Sequence, residues 1–223
     1  MSEAPVSPLA TPSAWNLVSD GYVSEIVPTF THYANDALRY GGVTSGERVL
    51  DVACGPGTLT FEAVKLGAKV SGIDFAEDMI AKLHARAAEE GVTDLDVRVG
   101  DGMALPYADA SFDAAFSMFG LIFFPDRAAG FRELHRVLVP GGRVVVSSWQ
   151  PIDELALYLE LFGALGALLP NMPFSAGKAP LGVPSEFAAE MTDAGFVDVA
   201  VHEISHASHY PSMTAFWAPA EKR

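Results

Sequence analysis

The sequence predicts an α/β domain built on a doubly wound, mostly parallel sheet. Two observations lead there. Short apolar, β-branched runs alternate with helix-length stretches, and several of those runs end in an acid or a glycine turn. Half of the 223 residues are hydrophobic and 19% are charged, which suits one large domain and is short for two.

The elements follow in order. Residues 1–13 are rich in Pro, Ser and Ala and read as a flexible tail. Residues 14–44 form an aromatic segment expected to be helical on both sides of Pro28, placed to act as a lid. Residues 45–150 carry the alternating units. Strands are expected at 49–52, 69–73, 95–99, 112–118 and 143–148. Between them, helices are expected at 58–66, stopped by Gly67, and at about 76–90, with Met79, Ile80, Leu83 and Ala87 on one face before Gly91. A further helix opens at Pro125-Asp126 and is stopped by Pro140-Gly141-Gly142. Residues 151–223 complete the sheet and pocket. They are expected to hold a helix over about 154–169, a Pro/Gly-rich loop to 184, a helix capped by Ser185, and a sixth strand through Val197, Val199 and Val201.

The formal charge is −14, a sign that repels phosphate backbones and anionic membranes. Nucleic acid is therefore not an expected partner. The single cysteine, Cys54, excludes an internal disulfide and reads as a packed turn residue. No leader-like segment and no apolar run of roughly 18 residues stands out. A cytoplasmic protein without a membrane span is expected. The oligomeric state is not legible, and a dimer stays open.

Ligands of such sheets bind at the carboxyl ends of the strands, where strand order reverses. The first strand ends in Asp51-Val52-Ala53-Cys54-Gly55-Pro56-Gly57, a glycine turn entering a helix, which suits close backbone approach to a nucleotide-like ligand. Asp74 ends the second strand, where ribose hydroxyls would bind. Asp101 follows the third and is placed for an exocyclic amine, as on adenine. Thr60 stands where a dinucleotide fold wants its third small residue, and Asp51 brings a carboxylate close to where a pyrophosphate would lie.

Together these segments resemble the class I S-adenosylmethionine-dependent methyltransferases, in the group related to the ubiquinone and menaquinone enzymes. The resemblance runs over about residues 45–150. It includes Gly72-Ile73-Asp74, Gly100-Asp101-Gly102 with Leu105-Pro106, Ser111-Phe112-Asp113-Ala114, Phe124-Pro125-Asp126-Arg127, and Glu133 to Arg143. It implies the Rossmann-like fold of that family and S-adenosyl-L-methionine as cofactor. It further implies contacts to that cofactor from Asp51, Ala53, Gly55, Gly57, Asp74, Phe75, Met79, Asp101, Gly102, Met103, Ser117 and Met118. Ala53 replaces a frequent glycine and Ala76 a frequent serine. The family closes with a seventh, antiparallel strand, and residues 210–217 look like the start of that region. That strand is expected to be missing, atypical or supplied by a partner.

Methyl transfer to a small, apolar or aromatic acceptor by in-line displacement is the expected activity. Tyr22, Tyr33, Phe119, Phe123 and Trp149 are the expected pocket residues, and His32 and Tyr33 are weak candidates for a general base. His202, His206 and His209 lie close in sequence, but strand alternation sets His209 opposite the other two, and no metal site is assigned. The alternatives are an NAD(P)-dependent oxidoreductase and a catalytically silent methyltransferase-like binding protein.

Overall fold

The computed structural model describes residues 7–151 and 181–207, with isolated positions between 154 and 168 and at 211, 212 and 214. Five parallel strands form the sheet: β1 (Arg48–Val52), β2 (Lys69–Asp74), β3 (Asp96–Val99), β4 (Phe112–Met118) and β5 (Leu138–Ser147). Their spatial order is β3-β2-β1-β4-β5. The chain steps outward from β1 to β3 and then returns to the other side of β1. The reversal therefore lies between β1 and β4, where Asp51 is in register with Phe116.

Helices cover both faces of the sheet, which explains why its central strands read as continuous apolar runs. Alternate residues of one strand serve different layers. Val49, Ala114 and Phe116 pack with Ala34, Ala37 and Leu38 of α2 (Val27–Tyr40) and with Leu59 and Ala63 of α3 (Thr58–Lys65). Leu50, Val52, Ile73 and Ala115 pack on the opposite side, against Phe131 and Leu134 of α5 (Arg127–Val137) and against Phe187 and Met191 of α6 (Pro184–Asp193). Cys54, Phe61, Ile80, Leu83 and Ala87 form a smaller cluster beneath α4 (Glu77–Glu90).

The punctuation behaves as the residue types require. Gly91 ends α4 in a left-handed conformation at φ 69°. Asp126 caps α5 by accepting from the Ala129 amide. Pro28 sits in the first turn of α2, where its missing N–H costs nothing, and α1 (Pro12–Glu25) is separated from α2 by Ile26 alone. The bulge holding Pro140-Gly141-Gly142 falls at the irregularity in the β4–β5 register.

Three expectations need correction. Residues 8–10 form a 3-10 turn and α1 starts at Pro12, inside the stretch read as a tail; the Trp15 indole donates to the Leu9 carbonyl at 2.8 Å. Helix α6 begins at Pro184 with Val183 at its cap position, so Ser185 lies inside the helix and not at its cap. The sixth strand does not form: residues 199–207 have no strand structure, and Val197 is 82% exposed. Ala194, Phe196 and Val199 pack against the core cluster that Leu50, Phe131 and Phe187 belong to. The expected loop at 170–180 and most of the expected helix before it lie outside the described residues. So do His209 and most of the region compared with a seventh strand.

Candidate functional site

At the switch point the chain makes an unusually tight junction. Asp74, at the end of β2, accepts from the Gly55 amide at 2.8 Å through Oδ2 and from the Ala76 amide at 2.9 Å through Oδ1. One carboxylate thus fixes both the glycine turn after β1 and the entry to α4. The Gly100 amide donates to the Asp74 carbonyl at 2.9 Å, which ties the end of β3 to the same point.

The glycines divide into two kinds. Gly57 has φ 85°, and a Cβ there would lie 2.8 Å from the Phe61 ring, so the residue serves the packing of α3. Gly55 has φ 53° and open space where its Cβ would be, so no packing contact occupies that side. Ala53 (φ 58°) and Phe119 (φ 56°) occupy the left-handed region with side chains, a strain concentrated on the two loops that meet here. A Cβ on Gly120 would lie 2.4 Å from the Ala53 Cβ, so the two loops approach closely because Gly120 has none.

Asp51 does not face the cleft openly. It is 1% exposed and accepts from the Thr60 hydroxyl at 2.8 Å. Burial, reinforced by the charge of Asp74, pushes its carboxyl up to about 7, against the Thr60 bond that lowers it. Burial likewise raises the Asp74 carboxyl, and it raises the Cys54 thiol well above its ordinary range. Thr60, a departure from the dinucleotide pattern, is thereby explained as the partner of Asp51.

Two buried carboxyls bonded to a hydroxyl and to backbone amides form a donor set that favours a cationic, hydroxyl-bearing ligand. Ser117 fits the same reading, because its hydroxyl is fully buried at the end of β4 and has no hydrogen-bond partner among the described residues. Asp101 is exposed beyond β3, with Oδ1 accepting from the Met103 amide at 2.8 Å. Gly102 is buried against the Phe124 ring, and Phe75 is half-buried beside Asp74. Met79 is 2% exposed in α4, and Met118 packs toward the α2 layer.

All five expected pocket residues belong to one connected set of rings. Phe119 and Trp149 stack at 4.3 Å, and Tyr33 meets Phe119 edge-on at 5.6 Å. Phe30 links them to Tyr22 at 6.3 Å, and Trp15 joins Tyr22 to Phe123. Helix α1 brings Tyr22 toward Asp74, and burial pushes its phenol up to about 12. Asn16 accepts from the Asp78 amide and Asp20 pairs with Lys82, so α1 is docked on α4 above the end of β2.

Sequence reasoning passed over two groups. Glu133 accepts from the Leu105 amide at 2.7 Å, while Arg136 donates to the Leu105 and Tyr107 carbonyls; together they hold the loop after Asp101 on α5. Their spacing of three on a helix was the available signal. His206 pairs with Asp36 across the chain and had no such signal. His32 is exposed, with its ring 5.3 Å from that of His206. His202 stacks on Tyr40. No group of metal-ligating side chains is formed among the described residues, and no helix among them is long and apolar enough to cross a membrane.

Comparison with known proteins agrees with this geometry. Residues 49–142 match the model of a methyltransferase domain. A demethylmenaquinone methyltransferase of Corynebacterium kroppenstedtii is 46% identical over 45% of this chain and 41% of its own length. The nocamycin O-methyltransferase of Saccharothrix syringae is 34% identical over 69% of this chain and 60% of its own. The chain spans about half the length of the curated relatives it matches. A solved structure described as a putative S-adenosyl-L-methionine-dependent methyltransferase from Methanococcus maripaludis shares the fold, with a TM-score of 0.63 and 20% identity. It covers 87% of this chain and 88% of that one.

Proposed function

We propose that the chain is a class I S-adenosylmethionine-dependent methyltransferase and that it transfers a methyl group to a small apolar or aromatic molecule by in-line displacement. The observation that carries this reading is the Asp74 junction. A buried carboxylate locks a glycine turn that has one side free of packing contact, beside a second buried carboxyl and an unpartnered serine hydroxyl.

When bound, S-adenosylmethionine supplies an electrophilic methyl on a positively charged sulfur. The residues of the chain do the rest. Gly55 admits the ligand close to backbone, and Asp74 orients the ribose diol while keeping the turn in place. Phe75 lies against the ribose or adenine, and Asp101 with the Gly102 and Met103 backbone reads the adenine edge. Asp51, behind the turn, acts on the amino group directly or through water, and the positive charge of the ligand would favour its ionised form. Phe119, Trp149, Tyr33, Tyr22 and Phe123 exclude water and align an apolar acceptor. Alignment of this kind is worth roughly 7–11 kcal/mol of barrier in well-oriented reactions.

Titration calorimetry with S-adenosylhomocysteine and, separately, with NADH tests the reading. Binding of the thioether and none of the dinucleotide is expected. Tight NADH binding without thioether binding would overturn it in favour of an oxidoreductase, and thioether binding without turnover of any acceptor would point to a silent binding protein.

A further inference from the structure

The pairing of His206 with Asp36 is not needed to explain cofactor binding. His206 Nε2 lies 2.7 Å from Asp36 Oδ2, joining the segment after α6 to α2 across 170 residues of chain. Asp36 also accepts from Arg39 through Oδ1 at 2.9 Å. That bond, with the help of His206, holds the Asp36 carboxyl below its ordinary range. An ionised carboxylate can only accept, so Nε2 carries the hydrogen, and in the neutral form of the ring Nδ1 keeps its lone pair. The ring is held by neighbours as well, with Tyr33 edge-on at 4.8 Å and His32 at 5.3 Å.

His206 lines the same crevice as Tyr33, Met118, Phe119, Ser147 and Trp149. That crevice runs along β5 and reaches the end of β4, where Phe119 and Trp149 lie. A carboxylate-oriented imidazole on the same wall as these rings is suited to proton transfer. The charged and titratable groups around it are Asp36, Arg39, His32 and Tyr33 of α2 and Glu203 of its own segment.

We propose that Asp36 and His206 form a general-base pair that takes the proton from a hydroxyl acceptor, a phenol above all, bound in the crevice beside Phe119 and Trp149. This rests on the methyl-transfer reading and adds the chemistry of the acceptor. As the acceptor oxygen bonds the methyl carbon, the carbon–sulfur bond leaves its electron pair on sulfur, giving a neutral thioether. The O–H proton passes to Nδ1 of His206, where Asp36 offsets the imidazolium charge. The His206 side chain is 30% exposed, so the proton then reaches solvent.

The test uses the full chain and two readouts. In the first, para-nitrophenol is titrated with protein saturated in S-adenosylhomocysteine, and the visible absorbance of the phenolate is followed against pH. The bound phenol is expected to ionise at a lower pH than free phenol, and His206→Gln or Asp36→Asn to abolish that shift. In the second, turnover with S-adenosylmethionine is compared for para-nitrophenol, para-chlorophenol and para-methoxyphenol. His206→Gln is expected to lose about 10²–10⁴-fold in kcat on the least acidic phenol, and less than about tenfold on nitrophenol, which ionises unaided. His202→Ala, which loosens the same segment at Tyr40, is expected to act equally on all three. Equal losses from His206→Gln across the series, or no spectral shift in the unaltered protein, overturn the base and leave the pair a tether. No turnover of any phenol by a protein that binds S-adenosylhomocysteine overturns the hydroxyl acceptor while sparing the cofactor reading. Failure to bind the thioether overturns both.

Discussion

Asp74 accepts the Gly55 amide at 2.8 Å, so the carboxylate that ends β2 also holds the turn that follows β1. On the proposed reading, ligand binding and turn geometry share one side chain. Asp74→Asn keeps one acceptor oxygen and loses the charge. Charged hydrogen bonds are worth about 1.5–3 kcal/mol, so S-adenosylhomocysteine affinity is expected to fall roughly 10–100-fold by calorimetry. Unchanged affinity would separate Asp74 from the ligand.

Asp51 gives a pH dependence of stability with a definite sign. Its native carboxyl is pushed up to about 7, whereas an ordinary aspartate titrates near 3.8. Between those values the native state binds more protons than the unfolded chain, so this contribution is fully present below the lower value and is lost as pH rises through the upper one. Urea midpoints measured from pH 4 to pH 8 should show the slope, and Asp51→Asn should flatten it. Thr60→Val removes the hydroxyl that serves Asp51 and is expected to cost about 1–3 kcal/mol near neutral pH.

Gly55 and Gly57 should fail in different ways. Gly57→Ala drives a Cβ into Phe61 and Leu83 at a positive φ, and about 1–3 kcal/mol of stability should be lost. Gly55→Ala meets no protein atom, so its backbone strain should cost less stability while the new methyl obstructs the cleft. The comparison is between the fall in Tm and the fall in thioether affinity. A larger affinity loss for Gly57→Ala at equal stability would reverse the assignment of the two glycines.

Trp149 stacks on Phe119 at 4.3 Å while remaining 36% exposed, so it lines a crevice more than it fills the core, and the proposed acceptor would lie against it. Aromatic pairs are worth about 0.5–1.5 kcal/mol beyond their area, and Trp149→Ala is expected to raise KM for an aromatic acceptor about 3–10-fold. Affinity for S-adenosylhomocysteine should change less than twofold. An equal loss of both would place the ring on the cofactor.

The sheet and the strand ends were legible because they depend on local signals. Apolar runs buried on both faces, a glycine turn and acids at strand ends can be recognised without knowing their neighbours. The alternation of Val197, Val199 and Val201 misled for a physical reason: a single valine, Val199, packed against the core yields the same pattern as a strand, but the ladder bonds decide. Thr60 looked like a lost glycine because its partner, Asp51, is visible only once the turn is folded. Asp36 and His206 are separated by most of the chain, and no spacing rule joins them.

The register of Asp51 against Phe116 also sets a timetable for assembly. The glycine turn and the acid of β2 are encoded early in the chain, but the floor of the cleft comes from β4, which must cross back over β1 before the cleft exists. Pairings that distant in sequence are slow to form, because loop closure must come first. On the proposed reading, a chain emerging from the ribosome would hold most of its candidate ligand-binding side chains while still unable to bind. Ligand affinity would then report that the central strands have closed, and a ligand added during refolding would trap only the finished sheet.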